Sequence, residues 1–314
     1  MSREVVISVI MSVYNERLDW LKESIESILY QTYKDFEFII VLDNPKNLEA
    51  KKTLQEYSEK DSRIKLIYND INIGLPKSLN KALCSARGDY IARMDADDIS
   101  EVQRLNKQLR FMIDNPDVAL IGTEIRVIDE EGNFIRCPKK LYSHEAIKKF
   151  ASYGNPITHP TWFGRRELFE KLKGYRNFKN SEDMDFMCRI IAENYVVLNM
   201  NECLLKYRVR LNSQSVAKGL LQMKYGQYIS KLYKQRKKNG NDLYDENYVD
   251  NISVSVKEAE RFSEGMLNLN QAYQLFVNKQ YLKSITYFSM AIFKSRYISK
   301  KLISQIMLRV LSTL

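Results

Sequence analysis

A chain of 314 residues, 45% hydrophobic and 28% charged, has room for one α/β domain and an appendage, and its two histidines exclude a histidine-rich metal centre. The net charge of +10 is lopsided: no acid follows Glu264, whereas Lys279, Lys283, Lys294, Arg296, Lys300, Lys301 and Arg309 do. Cys84, Cys137, Cys188 and Cys203 form no CxxC pair and read as small buried hydrophobes of a reducing compartment, which argues against a zinc site or a disulfide framework.

The β-branched run from Glu4 to Met11 predicts a buried strand. Leu18, Leu21, Ile25, Ile28 and Leu29 recur at helical spacing and predict a helix from Leu18 to Tyr30. Phe36 to Leu42 is a second apolar strand, broken by Asp43-Asn44-Pro45. A polar helix over Leu48–Ser58, a strand over Ile64–Tyr68 and a turn at Asn72-Ile73-Gly74 follow. Leu75, Leu79, Ala82 and Leu83 give the next helix its inner face, and Gly88 ends it. Asp89 to Met94 is the fourth strand, and a helix is expected from Ile99 to Asn115.

Strand and helix alternate, and the strands are apolar on both faces. That pattern predicts a Rossmann-like, mostly parallel sheet covered by helices. Ligands of such sheets bind beyond the carboxyl ends of the strands. Three strands end there in unusual chemistry: Ser12 and Tyr14 after the first, Asp43 after the second, Asp95-Ala-Asp97-Asp98 after the fourth. They should converge in space. Three carboxylates in one short loop repel unless a cation neutralises them, and hard oxygen ligands suit Mg²⁺ or Mn²⁺. A plainer reading makes Asp98 the cap of the following helix and leaves Asp95 and Asp97 solvated.

Further along, Val118 to Ile128 continues the sheet and residues 130–133 form a hairpin turn. His144 to Ser152 and Arg165 to Leu172 read as helices, separated by a loop with His159, Trp162 and the start of a strand. Ser181 opens an amphipathic helix whose first residues, Glu182 and Asp183, suit the positive end of its dipole. From Val216 the chain is helical and polar, which divides it into a domain over 1–215 (halves 1–98 and 99–215) and a basic helical extension over 216–314. Residues 267–294 are spaced like one tetratricopeptide helical pair, and Tyr297 to Leu314 like an interfacial membrane helix or a helix packed on its own domain with solvated lysines. No secretory signal is expected from the short apolar stretch 5–13, and no run approaches the ~18 apolar residues of a membrane span.

The motifs Ser8-Val-Ile-Met-Ser-Val-Tyr-Asn15, Ser27-Ile-Leu-Tyr-Gln31-Thr32, Phe36-Glu-Phe-Ile-Ile-Val-Leu-Asp43, Asn72-Ile-Gly-Leu75 and Asp95-Ala-Asp-Asp98, followed by His159-Pro160, Gly174-Tyr175 and Glu182-Asp183, resemble in order those of family 2 glycosyltransferases. The resemblance covers roughly the first two hundred residues. It implies a GT-A fold and an inverting, single-displacement, metal-dependent sugar (hexosyl) transfer in surface polysaccharide synthesis. By the same matching, Ser12 and Tyr14 would lie against the base and ribose of UDP, Asp43 would bind uracil, and Asp95 ribose or metal-bound water. Asp97, with Asp95, would hold Mn²⁺ or Mg²⁺. Asp183 would be the general base, with Glu182 its rival. His159 and Trp162 flank the expected acceptor side, where the histidine could touch the diphosphate and the tryptophan could stack on a sugar, although a tryptophan beside a strand is more often core. Apart from the matching, Lys77, Arg165 and Arg166 could assist the diphosphate or be ordinary surface charge. Leu42 stands where the family often carries a first acid of a pair.

The expected partners are a UDP-sugar, a glycan or lipid-linked acceptor, and a membrane surface met through 265–314. That places the protein in the cytoplasm, peripheral on the inner face of the cell membrane. A nucleotidyltransferase would want a glycine-rich phosphate loop after the first strand, where Tyr14-Asn15-Glu16 stands. A dehydrogenase would want G-x-G-x-x-G. A nucleotide-sugar-binding protein and a membrane module built on the tail are two rival readings. No basic, aromatic-interleaved face in the first 264 residues predicts nucleic-acid binding.

Overall fold

A computed structural model describes residues 6–138, 140–210 and 216–312, the side chain of Val216 apart. The first half is built as its apolar runs dictate. Strands β1 (Ile7–Val13), β2 (Phe36–Leu42), β3 (Ile64–Tyr68) and β4 (Tyr90–Asp95) lie in the order β3-β2-β1-β4, all parallel. Helices α1 (Leu18–Leu29), α2 (Leu48–Lys60) and α3 (Leu75–Ser85) connect them. All seven residues of β2 are buried, as a central strand with helices on both faces requires. Residues 4–5 of the expected first strand lie outside the described residues.

Beyond β4 the sheet becomes mixed. The order continues β4-β8-β6-β9-β5, with β8 (Phe163–Arg165) antiparallel to both β4 and β6 (Val118–Ile128). β6 pairs in parallel with β9 (Val196–Arg208) and carries the short hairpin strand β7 (Phe134–Arg136). The helix expected from Ile99 starts later. Ile99–Ser100 is strand β5, paired antiparallel with Lys206 and Leu205 of β9, and α4 runs from Arg104 to Asp114. Asp98 therefore caps no helix; its Oδ1 accepts from the Arg208 backbone N–H at 2.9 Å. Then come α5 (His144–Phe150), α6 (Arg166–Lys171) and α7 (Glu182–Ala192).

The extension comprises α8 (Val216–Asn239), α9 (Glu246–Asp250), α10 (Val256–Val277), α11 (Tyr281–Lys294) and α12 (Arg296–Leu311). Its helices are joined to the sheet domain through one apolar core. Tyr225, Ile229, Leu232 and Tyr233 of α8, Val249 of α9 and Leu311 of α12 belong to the same buried cluster as Trp162, Phe186 and Ile190. α10 and α11 form a helical hairpin, and a small separate core of Leu220, Phe262, Ala291, Tyr297 and Ile298 lies beneath it. Leu311, Met307 and Leu308 seat α12 on the main core, while Ile303, Ile306 and Val310 stay exposed. Residues 313–314 of the expected last helix lie outside the described residues.

The cysteines depart from expectation. Only Cys188 is buried, Cys203 is half-buried, and Cys84 and Cys137 are exposed. Cys84 sits off the inward face of α3, which Leu79 and Ala82 occupy, and Cys137 follows β7, all of whose residues are exposed.

The edge of the sheet away from the strand ends is locked by Glu37 and Ser8. The Glu37 carboxylate accepts from the Ser8 hydroxyl and from the Arg87 N–H, each at 2.7 Å, and pairs with Lys65 at 2.5 Å. Gly88 donates its N–H to the Ser8 hydroxyl at 2.9 Å. A Cβ on Gly88 would lie 2.6 Å from the Ser8 backbone nitrogen and 2.7 Å from the Ile7 carbonyl carbon, where no side chain can swing aside. Gly88→Ala is expected to cost about 1–3 kcal/mol, the range for overpacking a tight site. Urea denaturation checks this, and an unchanged midpoint would refute it.

Candidate active site

The strand register gathers the candidate residues on one edge. Ser12 at the end of β1 pairs with Asp95 at the end of β4, and Asp43 follows the end of β2, its N–H bonded to the Val13 carbonyl at 2.7 Å. At the usual spacing of strands, Asp43 and Asp95 stand about two strand widths, roughly 10 Å, apart. The convergence expected from the strand ends is present.

Each residue has a distinct setting. Tyr14 is 48% exposed, with its ring lying beyond the strand, and its N–H donates to Glu16 Oε2 at 2.8 Å. Asp43 is buried. Its Oδ1 accepts from Asn69 and from the Ile73 N–H, and its Oδ2 from the Gly74 N–H at 2.8 Å. It thereby fastens the turn at residues 72–74, where Gly74 takes φ +86° ahead of Pro76 in the first turn of α3. Oδ2 keeps acceptor capacity for a ligand donor.

Asp95 and Asp97 are partly open, with side-chain exposures of 28% and 22%, and each already touches an arginine. Asp95 pairs with Arg93, and Asp97 Oδ2 accepts from Arg210 at 2.7 Å. Burial, then the charge of Asp95, raises Asp97, and Arg210 opposes the shift. Asp98 is sealed, and burial with both neighbouring acids holds it well above the carboxylate range. Glu16 is raised by burial and by Asp97, against the Tyr14 N–H bond.

At the other side, the N-terminus of α7 presents Glu182 and Asp183. Asp183 accepts from Asn155 Nδ2 at 2.6 Å and from the Met184 N–H at 2.8 Å. Burial raises its carboxyl, and those two bonds to the ionised form hold the rise in check. Glu182 is 3% exposed, its Oε2 has no partner, and Oε1 stands 3.8 Å from His159 Nδ1. Burial, then the charge of Asp183, pushes Glu182 far above its ordinary value. The two acidic sites feel each other: Asp95 adds to the rise at Glu182.

Between them lies a residue that the motifs do not single out. Arg93 is 3% exposed, pairs with Asp95, and leaves Nε and Nη1 without partners. Burial would discharge it, and the adjacent Asp95 more than offsets that. Its charge favours the ionised forms of Asp97, Asp98, Glu182 and Asp183 and, after burial, further lowers His159. Arg208 is the second such residue. From the end of β9 it reaches the Asp97 carbonyl at 3.0 Å, the carbonyls of Asp129 and Glu130, and Glu23 Oε2 at 2.6 Å. Arg208 and Arg210 also lie over the Trp20 ring. A cation inside an otherwise apolar strand, Tyr90-Ile-Ala-Arg-Met, is the signal that could have found Arg93.

Of the alternatives open at these positions, the structure favours core for Trp162 and surface pairing for Lys77, and it corrects His159 as an acceptor-side residue. Trp162 is fully buried, its Nε1 donates to the Ile157 carbonyl, and its ring packs against Tyr175 and Phe186, so no face is open to a sugar. His159 is buried behind Glu182 and shares a 2.9 Å hydrogen bond with the Tyr175 hydroxyl, so it supports the acidic pair from behind. Arg165 donates to the carbonyls of Val118, Met112 and Pro116, and Arg166 to that of Gly88. Both therefore sit at the far edge of the sheet. Lys77 pairs with Glu246 of α9 at 2.9 Å.

No group of three or more His, Cys, Asp or Glu side chains among the described residues is arranged to hold a metal ion. Asp95 and Asp97 do fit a hard divalent ion that completes its shell with phosphate oxygens and water: both are carboxylates, both are partly open, and their mutual repulsion favours an added cation.

The family model for Glycosyl transferase family 2 matches residues 8–173. The chain belongs to glycosyltransferase family 2. It is 42% identical over 236 residues to the uncharacterized glycosyltransferase MJ1057 of Methanocaldococcus jannaschii, covering 74% of this chain and 81% of that one. It is 41% identical over 211 residues to the O-antigen biosynthesis glycosyltransferase WbnJ of Escherichia coli, covering 66% and 81%. Residues 1–349 of S. aureus TarS in complex with UDP superpose with a TM-score of 0.60 at 15% identity, over 90% of this chain and 89% of that one. That likeness is one of fold, and the mixed sheet with its helices is GT-A-like. Within this glycosyltransferase, the Asp95–Asp98 loop follows the carboxyl end of β4, and the charge of Asp95 is felt at Glu182 of α7.

The raised Glu182 carboxyl has a consequence for stability. A folded-state pKa above the ordinary 4.5 means that the native protein holds this proton more tightly than the unfolded chain. The stabilisation is complete below that ordinary value and is lost as pH rises through the native one. Glu182→Gln removes the titration. Its stability relative to the parent should therefore climb with pH through that window, by up to about 1.4 kcal/mol per pH unit. Urea titrations at several pH values test this, and a difference independent of pH would exclude a raised Glu182.

Proposed function

We propose that this glycosyltransferase moves a sugar from a UDP-sugar to a hydroxyl of a glycan or lipid-linked acceptor in surface polysaccharide synthesis, by a single inverting displacement. The observation that carries the reading is the buried Arg93, which pairs with Asp95 and whose charge also reaches Glu182 and Asp183, so that two acidic sites share one cation. The exposed Tyr14 ring, Ser12 and the remaining acceptor capacity of Asp43 supply a base and ribose surface on the same edge. The solved TarS fragment in complex with UDP-GlcNAc, alike in fold with a TM-score of 0.60, supports a nucleotide-sugar donor.

Asp183 takes the proton of the acceptor hydroxyl, and that oxygen forms the new bond to the anomeric carbon. The bond to the nucleotide breaks on the opposite side, its electron pair leaves with the diphosphate, and configuration inverts. Asp183 suits the base because its two hydrogen bonds favour the ionised form, whereas desolvated Glu182 keeps its proton. Arg93 pairs with Asp95, and its charge favours the ionised form of Asp183. Mn²⁺ or Mg²⁺ held by Asp97 and Asp95 would stabilise the charge growing on the leaving diphosphate.

We further place the protein in the cytoplasm, peripheral on the inner face of the cell membrane. No helix among the described residues is long and apolar enough to cross a membrane. The α10–α11 hairpin nevertheless exposes Leu282 (84%) and Phe293 (92%) beside Lys279, Lys283 and Lys294, a composition that supports surface contact.

Calorimetry with UDP, GDP and CMP sugars, with and without Mn²⁺, tests the donor. UDP-sugars should bind, and Asp97→Ala should abolish the metal-dependent part. Asp183→Asn should retain donor binding and lose transfer by about 10²–10⁴-fold. Normal transfer by Asp183→Asn would remove Asp183 as the base, and a preference for another nucleotide would remove the UDP assignment.

A further inference from the structure

A groove of about 1290 Å³ opens from Asp183 and Asn155 and runs between α8 and α12. It is larger than the roughly 300–1,000 Å³ of a typical small-molecule pocket, with room for more than a single sugar. Among the described residues its only acidic lining residue is Asp183, and five of the others are lysines: Lys231, Lys234, Lys238, Lys300 and Lys301. The three on α8 follow at i, i+3 and i+7, so they share one helix face and rise along the groove. Among the described residues, Lys231, Lys234, Lys238 and Lys300 take part in no ion pair, although Glu258, Glu193 and Asp242, all outside α8, pair with Lys224 and Arg236 of the same helix. Lys300 is lowered by burial and then by Arg296 and Lys234, which places like charges near one another at the groove. Such an arrangement repels itself until an anion enters.

From this geometry we infer that the groove binds a phosphate-bearing acceptor, its phosphates lying along the α8 and α12 lysines and its hydroxyl reaching Asp183. The inference rests on the reading of Asp183 as the base. A diphosphate that links a glycan to a lipid and a phosphodiester-linked chain share this chemistry. α10 contributes Phe262 to the groove, whereas no residue of α11, which carries the exposed Leu282 and Phe293, is among its lining residues.

Binding of sodium tripolyphosphate and of farnesyl diphosphate to the full chain, measured by calorimetry with UDP saturating, tests it. Lys234→Glu combined with Lys300→Glu should weaken both probes by at least about tenfold and leave the UDP affinity unchanged. Lys279→Glu combined with Lys283→Glu, on the tail, should change neither. Binding by the parent protein should weaken as KCl is raised. Parental affinity in the groove variant, loss in the tail variant instead, or displacement of the probes by UDP would each overturn the inference. Tighter binding of farnesyl diphosphate that falls in Ile303→Ser identifies the lipid-linked source, and equal binding of the two probes identifies phosphate alone. Asp183→Asn should still bind tripolyphosphate. If it also transfers sugar normally, the base assignment fails while the groove stands.

Discussion

The buried guanidinium of Arg93 is the interaction on which the rest of the site depends. Asp98, Glu182 and Asp183 are removed from water within reach of Asp95 and Asp97, and carboxylates so crowded would protonate or push apart. One delocalised cation within the protein interior pairs with Asp95 and opposes the rise at Asp97, Asp98, Glu182 and Asp183. Its placement is enforced by the backbone. Arg93 donates its N–H to the Trp162 carbonyl at 2.9 Å, and its own carbonyl accepts from Arg104 at 2.7 Å. A buried pair is weak evidence for net stability. It is better understood here as the device that lets two acidic sites of different chemistry occupy one edge.

Local pattern made the first half of the fold legible. Residues 36–42 are apolar throughout because β2 has neighbours on both sides and helices on both faces, and that environment is written in consecutive residues. The same holds for the acids at the strand ends, since a parallel sheet places all carboxyl ends together. What escaped was set by distant partners. β5 follows Asp98, where local spacing predicts a helix, because Ile99 and Ser100 bond to β9 more than 100 residues on. β9 itself alternates irregularly, with register shifts against β6, and it delivers Arg208 to the Asp97 carbonyl. Arg208 and Arg210 look like ordinary surface charge until that crossing is known.

Trp162 and His159 illustrate a second limit. Both flank the α7 acids in space, as the chain order suggests, yet they do so from inside. Trp162 fills the volume between Tyr175 and Phe186, and His159 is kept neutral by burial and by Arg93. Sequence proximity to a site does not reveal on which side of the wall a ring lies. Burial decides it, and burial is a property of the assembled layers.

The adjacent acids Glu182 and Asp183 show how one helix turn can divide two jobs between like residues. Both share the dipole of the same N-terminus, which favours negative charge at either. They differ in what else they meet. Asp183 receives Asn155 and a backbone N–H and stays half-open toward the lysine-lined groove. Glu182 points inward beside a neutral imidazole, with one oxygen unpartnered. Ionising Glu182 as well would set a second charge beside the first in a desolvated corner, with Arg93 already shared among several acids. A single negative charge at the mouth of the groove is therefore the stable arrangement near neutrality. It sits on the residue that an incoming hydroxyl can reach.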